Sequence, residues 1–140
     1  MTEEKKDFFV SDISLSYQYT AGNATTRFLN KVAEGKLVAQ KCPKCSAVYV
    51  PPRGSCPRCG VATEEELELP DTGAVESFTI VHIPIPGNPI VPPYVSAMIR
   101  LDGADISFLH LIQEIDLADI RIGMRAVSYT HLTLPTTDRG

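Results

Sequence analysis

The sequence predicts a mainly β chain: a short N-terminal helix, a zinc ribbon, and then a small Greek-key barrel. Three observations carry that expectation. All four cysteines of the 140 residues stand in two C-x-x-C knuckles, Cys42-Pro43-Lys44-Cys45 and Cys56-Pro57-Arg58-Cys59. Beyond residue 70, β-branched and aromatic residues alternate in short runs. Those runs are spaced closely and are broken by proline and glycine, the pattern of a small barrel rather than a helical domain.

Taken in order, residues 1–36 form an N-terminal extension that is irregular at first and helical over 25–34. Phe28, Leu29, Val32 and Ala33 mark one apolar face of that helix, with Asn23, Thr25 or Thr26 as the cap and Gly35 as the stop. The helix packs either on its own domain or on a partner chain, and the pattern fits both. Residues 37–69 are the ribbon. Leu37-Val38-Ala39-Gln40 leads into the first knuckle, and Val48-Tyr49-Val50 reads as a strand halted by Pro51-Pro52. The run Glu64-Glu65-Glu66 and the pair Pro70-Asp71 read as a charged, turn-prone boundary.

Residues 70–126 are the barrel. A long strand covers Val75, Ser77, Thr79 and Val81 and stops at the loop 83–93, which holds five prolines and one glycine. Tyr94–Leu101 is the second strand, Asp102-Gly103 a tight turn, and 105–112 the third strand. A helical turn is expected over 116–120, and a fourth strand from Met124. Residues 127–140 break the pattern and resemble the translated run that sequencing adapters leave at the end of an assembled reading frame. They are expected to be a non-native tail, leaving the barrel without the end of its fourth strand and without a fifth.

Two knuckles supply the four thiolates of a closed tetrahedral Zn²⁺ site, so Cys42, Cys45, Cys56 and Cys59 are the metal ligands and the metal is structural. Paired disulfides are the alternative in an oxidising compartment. The run Met1-Thr2-Glu3-Glu4-Lys5-Lys6 has no apolar signal core behind it, which predicts a cytoplasmic chain instead. A thioredoxin-type redox pair would open a helix, whereas Pro43 and Pro57 suit turns. No apolar run approaches the roughly 20 residues of a membrane span.

Net charge is −4, which disfavours a polyanion partner. Residues 70–126 carry only Arg100, Arg121 and Arg125 against seven acids, among them Asp71, Glu76 and Asp102. A nucleic-acid-binding ribbon and barrel is therefore the alternative reading rather than the main one. No catalytic constellation stands out: all four cysteines are committed to metal, and His82 and His110 are lone histidines in strands. Asp102 and Asp105 are accounted for by turn chemistry.

Tyr17-Gln18-Tyr19-Thr20-Ala21-Gly22, Gly35-Lys36-Leu37 before the first knuckle, Tyr49-Val50-Pro51-Pro52-Arg53 and Pro93-Tyr94-Val95 together resemble the zinc-ribbon and OB-fold proteins associated with acyl-CoA enzymes. The resemblance runs from about Tyr17 to Arg125. It implies a rubredoxin-like ribbon followed by a five-stranded OB-fold barrel. It also implies a non-catalytic accessory subunit that pairs with a thiolase-like enzyme, or in some members with a hydratase or an aldolase-type protein, and that helps to hold CoA or acyl-CoA. On that basis Lys44, Arg53 and Arg58 are candidate contacts for CoA phosphates, and Tyr94 for the pantetheine path.

Overall fold

In the computed structural model, which describes residues 7–128, the helix α1 spans Asn23–Ala33 and so begins two residues earlier than expected. None of the three expected caps is used. Gly22 sits at the N-cap with φ 80°, and its carbonyl accepts the Thr26 N–H at 3.0 Å, closing the first turn without a side chain. At the other end Gly35 (φ 77°) closes the helix as expected: Lys36 N–H donates to Lys31 O and Gly35 N–H to Val32 O, each at 2.9 Å. Ala24, Phe28 and Val32, four residues apart, form the half-buried stripe, while Leu29 is exposed. Phe28 packs into the chain's own core, so the helix docks within its own body.

The ribbon sheet has the order β2-β1-β3, all antiparallel, with β1 at Leu37–Lys41, β2 at Val48–Tyr49 and β3 at Glu65–Leu69. The third strand corrects the sequence expectation, which took the acidic run for a turn. Leu67 and Leu69 point at the core while Glu66 and Glu68 face water, which is strand periodicity hidden by charge. Arg27 meets Glu66 at 3.0 Å and Lys36 meets Glu68 at 3.6 Å, so cations flanking the sheet neutralise this edge. A charged edge also discourages pairing with other chains.

The second sheet holds β4 (Thr72–Val81), β5 (Tyr94–Leu101), β6 (Phe108–Ile112) and β7 (Arg125–Val127) in the order β6-β5-β4-β7. Three successive strands with the fourth returning beside the first is the Greek-key order. On β5 the residues Val95, Ala97, Ile99 and Leu101 alternate inward, and the strand has the bounds that its alternation predicts. β4 starts three residues earlier than expected, and its register shifts between Val75 and Ser77. The intervening Glu76 carboxylate is bonded by Arg100 and Ser107. Over 116–120 there is the single turn expected, closed by Asp119 N–H to Asp116 O at 2.9 Å, with Asp116 Oδ1 accepting from Ala118 N–H. β7 ends one residue past the expected barrel end at 126. Residues 129–140, with His131, lie outside the described residues.

Three apolar clusters hold these parts. Val75, Val95, Ala97, Ile99 and Ile120 fill the barrel side. Ala39, Val48, Val50, Leu69, Leu101 and Ala104, with Phe28 and Phe108 against them, join helix, ribbon and second sheet in one core. Full burial of a Val, Leu or Ile contributes about 1.5–3 kcal/mol, so this shared cluster, not the connecting chain, fixes the ribbon on the sheet. The third surrounds the knuckles and takes in Ile106 from the segment between β5 and β6.

Asp105 supplies a polar bond across the same junction. Its carboxylate accepts the Val48 N–H at 2.7 Å and its own N–H donates to Val48 O at 3.0 Å. This corrects the assignment of Asp105 to turn chemistry. It also explains why β6 begins at Phe108 rather than at 105: the chain from Asp105 to Ile106 is spent on the ribbon.

Candidate metal centre

The two knuckles are built alike. In the first, Ser46 N–H donates to Cys42 O at 3.0 Å and Cys42 N–H to Ala47 O at 2.9 Å. In the second, Gly60 N–H donates to Cys56 O at 2.9 Å and Cys56 N–H to Val61 O at 2.8 Å. Both turns need a left-handed residue after their second cysteine, and they have Ser46 at φ 62° and Gly60 at φ 66°. Repeating one turn twice brings four sulfurs together from two directions.

The four Sγ atoms all lie within 4.8 Å of one another, and Cys45 and Cys56 are 3.7 Å apart. A tetrahedron of sulfurs about 2.3 Å from a central Zn²⁺ has edges of about 3.8 Å, so the cage has the size that zinc requires. It is far too open for a disulfide, and all four thiols are unbridged. Cys42 and Cys56 are buried, while Cys45 is exposed. Backbone N–H groups of Lys44 and Cys45 point at Cys42 Sγ at 3.4 Å, the arrangement that holds negative charge on sulfur. Four sulfur ligands leave no coordination position for water or substrate, which makes the centre a structural one.

Tyr49 is the residue at this centre that sequence reasoning missed. Its hydroxyl lies 3.3 Å from Cys56 Sγ, and donation of that proton draws the Cys56 thiol down to about 6. The same bond pushes the Tyr49 phenol up to about 12. Cys59 is pushed up to about 12, first through its bond with Cys45. These bonds drive the Cys56 and Cys59 thiols apart in acidity, and a bound dication favours the thiolate at both. Beneath the knuckles the fully buried Gln40 accepts Gly54 N–H at 2.9 Å and the Thr63 hydroxyl at 3.1 Å through Oε1. It ties the two knuckle-bearing segments together.

The candidate ligand contacts fall in different places. Lys44 and Arg58 stand exposed, one on each knuckle. Arg53 lies over the Tyr49 ring, 5.8 Å from its centroid, and lines an open cleft of about 430 Å³ with Asn23, Thr25 and Ser55 at the start of α1. Tyr94 begins β5 on the other sheet, where its hydroxyl accepts from Asn88 Nδ2 at 3.4 Å. Among the described residues no contact joins Tyr94 to the three ribbon cations. His82 and His110 are exposed.

Residues 30–65 match the family described as ChsH2, rubredoxin-like zinc ribbon domain, and residues 66–130 match that described as ChsH2, C-terminal OB-fold domain. The chain is 36% identical over 91 residues to a DUF35 domain-containing scaffold protein of Methanocaldococcus jannaschii, an alignment covering 64% of this chain and 63% of that protein. It is 36% identical over 66 residues to a probable enoyl-CoA hydratase alpha subunit of Thermomonospora curvata, covering 47% of this chain and 20% of the other. The chain therefore spans just under two thirds of the first relative and a fifth of the second. Among solved structures, a DUF35-family protein of unknown function from Sulfolobus solfataricus is similar at 29% identity, TM-score 0.63 and 76% coverage of both chains. A chain of the Ltp2-ChsH2(DUF35) aldolase is similar at 29% identity and TM-score 0.65, with 78% of this chain and 85% of that one covered.

Proposed function

Because the chain belongs to the family that joins a ChsH2-type rubredoxin-like zinc ribbon to a ChsH2-type OB-fold domain, we propose that it is a non-catalytic accessory subunit of an acyl-CoA enzyme, with a thiolase-like partner carrying the chemistry. One observation carries the non-catalytic part: the chain's four cysteines all converge on one closed metal cage. No thiol remains to accept an acyl group, and the metal has no open position to activate one. The partner part is supported by the company its relatives keep: one is called a scaffold, one is a hydratase subunit and one belongs to an aldolase.

Zinc holds the ribbon, and the ribbon, core and Asp105 hold the second sheet in fixed relation to it. That makes the chain a rigid adaptor. Arg53 is the best placed of the four candidate contacts for CoA, because a guanidinium beside an uncapped helix N-terminus offers two sources of positive potential to a phosphate. Lys44, Arg58 and Tyr94 contribute contacts only if the partner completes the site around them. Polyanion binding is disfavoured further, since Arg100 and Arg125 are already bonded to Glu76 and Asp102.

Tagging the chain in its source organism and identifying its co-purifying protein by mass tests the proposal. A stoichiometric acyl-CoA enzyme subunit is the expected result. Nucleic acid, or a zinc-loaded chain with no protein partner, would overturn it.

A further inference from the structure

Among the described residues, the segment ahead of α1 carries a run of exposed apolar side chains that nothing in the fold explains. Phe8, Phe9, Ile13, Leu15, Tyr17 and Tyr19 are 77–100% exposed, and the only charges over residues 7–20 are Asp7 and Asp12. Monomeric proteins seldom leave such a run in water. From Ile13 to Tyr19 every second residue is apolar, with Ser14, Ser16 and Gln18 between them. The Tyr17 and Tyr19 rings stand 6.2 Å apart, close to the roughly 6.6 Å that separates same-side residues of an extended strand. Among the described residues no backbone hydrogen bond ties 7–21 to the body of the chain. The segment is therefore a one-sided strand in pattern and spacing, with neither a sheet nor a core to join.

We infer that residues 13–19 are the docking strap of this subunit, adding as a strand to an exposed sheet edge of the acyl-CoA enzyme partner while Ile13, Leu15, Tyr17 and Tyr19 enter an apolar groove beside that edge. The inference rests on the accessory-subunit reading and names the surface through which it works. Area favours it: Tyr17 and Tyr19 within the strap, with Phe8 and Phe9 just ahead of it, offer roughly 600–1,000 Å² at about 150–250 Å² each, against about 800 Å² per partner in a standard interface. A second copy of this chain is the poorer occupant. The exposed apolar residues of its folded body are divided between α1 (Leu29), the loop 83–93 (Ile83, Ile85 and Val91), β6 (Leu109), the segment before β7 (Ile122) and β7 (Val127), and the cleft at α1 is lined by Asn23, Arg53 and Ser55. Strand addition also explains the alternation, since backbone bonds supply affinity and every second side chain supplies specificity.

The test titrates the zinc-loaded full chain into the purified thiolase-like subunit of the same organism by calorimetry, with the corresponding hydratase-like and aldolase-like subunits in parallel. The double variant Y17S/Y19S should weaken binding by about 100-fold or more, because buried aromatic anchors dominate such contacts. S16P, which removes a backbone donor but no apolar side chain, should weaken it by about tenfold or more, while S16A leaves it unchanged. Both strap variants should keep the zinc content and circular dichroism of the parent, since the strap bears on no part of the core. Parent-like affinity for Y17S/Y19S, with the parent binding normally, would overturn the strap and leave the accessory reading standing. S16P matching S16A would overturn strand addition. A parent chain that binds none of the three enzyme subunits would overturn both the strap and the reading beneath it.

Discussion

Replacing Asp105 by alanine tests whether ribbon and second sheet form one cooperative body. The carboxylate holds the Val48 N–H at 2.7 Å, and Val48 is buried in the shared core. Removing it leaves that N–H without its acceptor, a loss of about 1–3 kcal/mol for a buried donor, at the upper end when the acceptor is charged. Asp105 itself is exposed, so water reaches part of the gap, and we expect about 1–2 kcal/mol. Asp105→Asn keeps an oxygen acceptor and should lose less than half as much. The backbone bond from Asp105 N–H to Val48 O survives in both variants, which isolates the side chain. Urea unfolding of the zinc-loaded chain, followed by tyrosine fluorescence from Tyr49 on the ribbon and Tyr94 on the second sheet in single-tyrosine backgrounds, reads both halves. The parent should show coincident transitions, and Asp105→Ala should lower both midpoints together. An Asp105→Ala unfolding free energy within about 0.3 kcal/mol of the parent's, or ribbon and sheet already separate in the parent, would refute the reasoning.

Removing zinc with a chelator should unfold residues 37–69 and loosen the second sheet through the shared core, since structural zinc contributes on the order of 10 kcal/mol to such folds; unchanged circular dichroism after complete zinc removal would contradict this. Gly60→Ala should destabilise the loaded chain by about 1–2 kcal/mol in thermal melts, purely through φ 66°, because a Cβ there meets nothing within 4 Å. Asp102 is held at about 2, below its ordinary 3.8, first by Arg125 and then by Thr72. Its folded value lies below its unfolded one, so its contribution is complete above pH 3.8 and disappears as pH falls towards 2. Asp102→Asn should therefore melt below the parent at pH 7, and an NMR titration of the parent should find the Asp102 carboxyl midpoint near 2.

What could be read in the chain was what is local. The cage was legible because the ligand spacing is itself the geometry, and β5 because Val95, Ala97, Ile99 and Leu101 alternate without interruption. β3 was hidden because its strand character comes from partners elsewhere: β1 beside it, and Arg27 and Lys36 neutralising its glutamates. Asp105 could not have been assigned from its neighbours, since its partner Val48 lies 57 residues away. Nor could the Tyr49 hydroxyl at Cys56, although an aromatic between two knuckles is the kind of signal that would point to it. The helix cap failed for another reason: the N-cap position falls on Gly22, which takes φ 80° and has no side chain to cap with, ahead of the residues that side-chain propensity picks out.

The central proposal is that this chain is a zinc-held adaptor whose partner performs acyl-CoA chemistry. Native mass spectrometry of the chain co-expressed with the thiolase-like subunit, paired with acyl-CoA turnover of each component and of the assembly, addresses it most directly. The account predicts an assembly with one zinc per copy of this chain, turnover in the partner or the assembly, and none in the chain alone. Acyl-CoA turnover by the isolated chain, abolished by no loss of a partner, would contradict it.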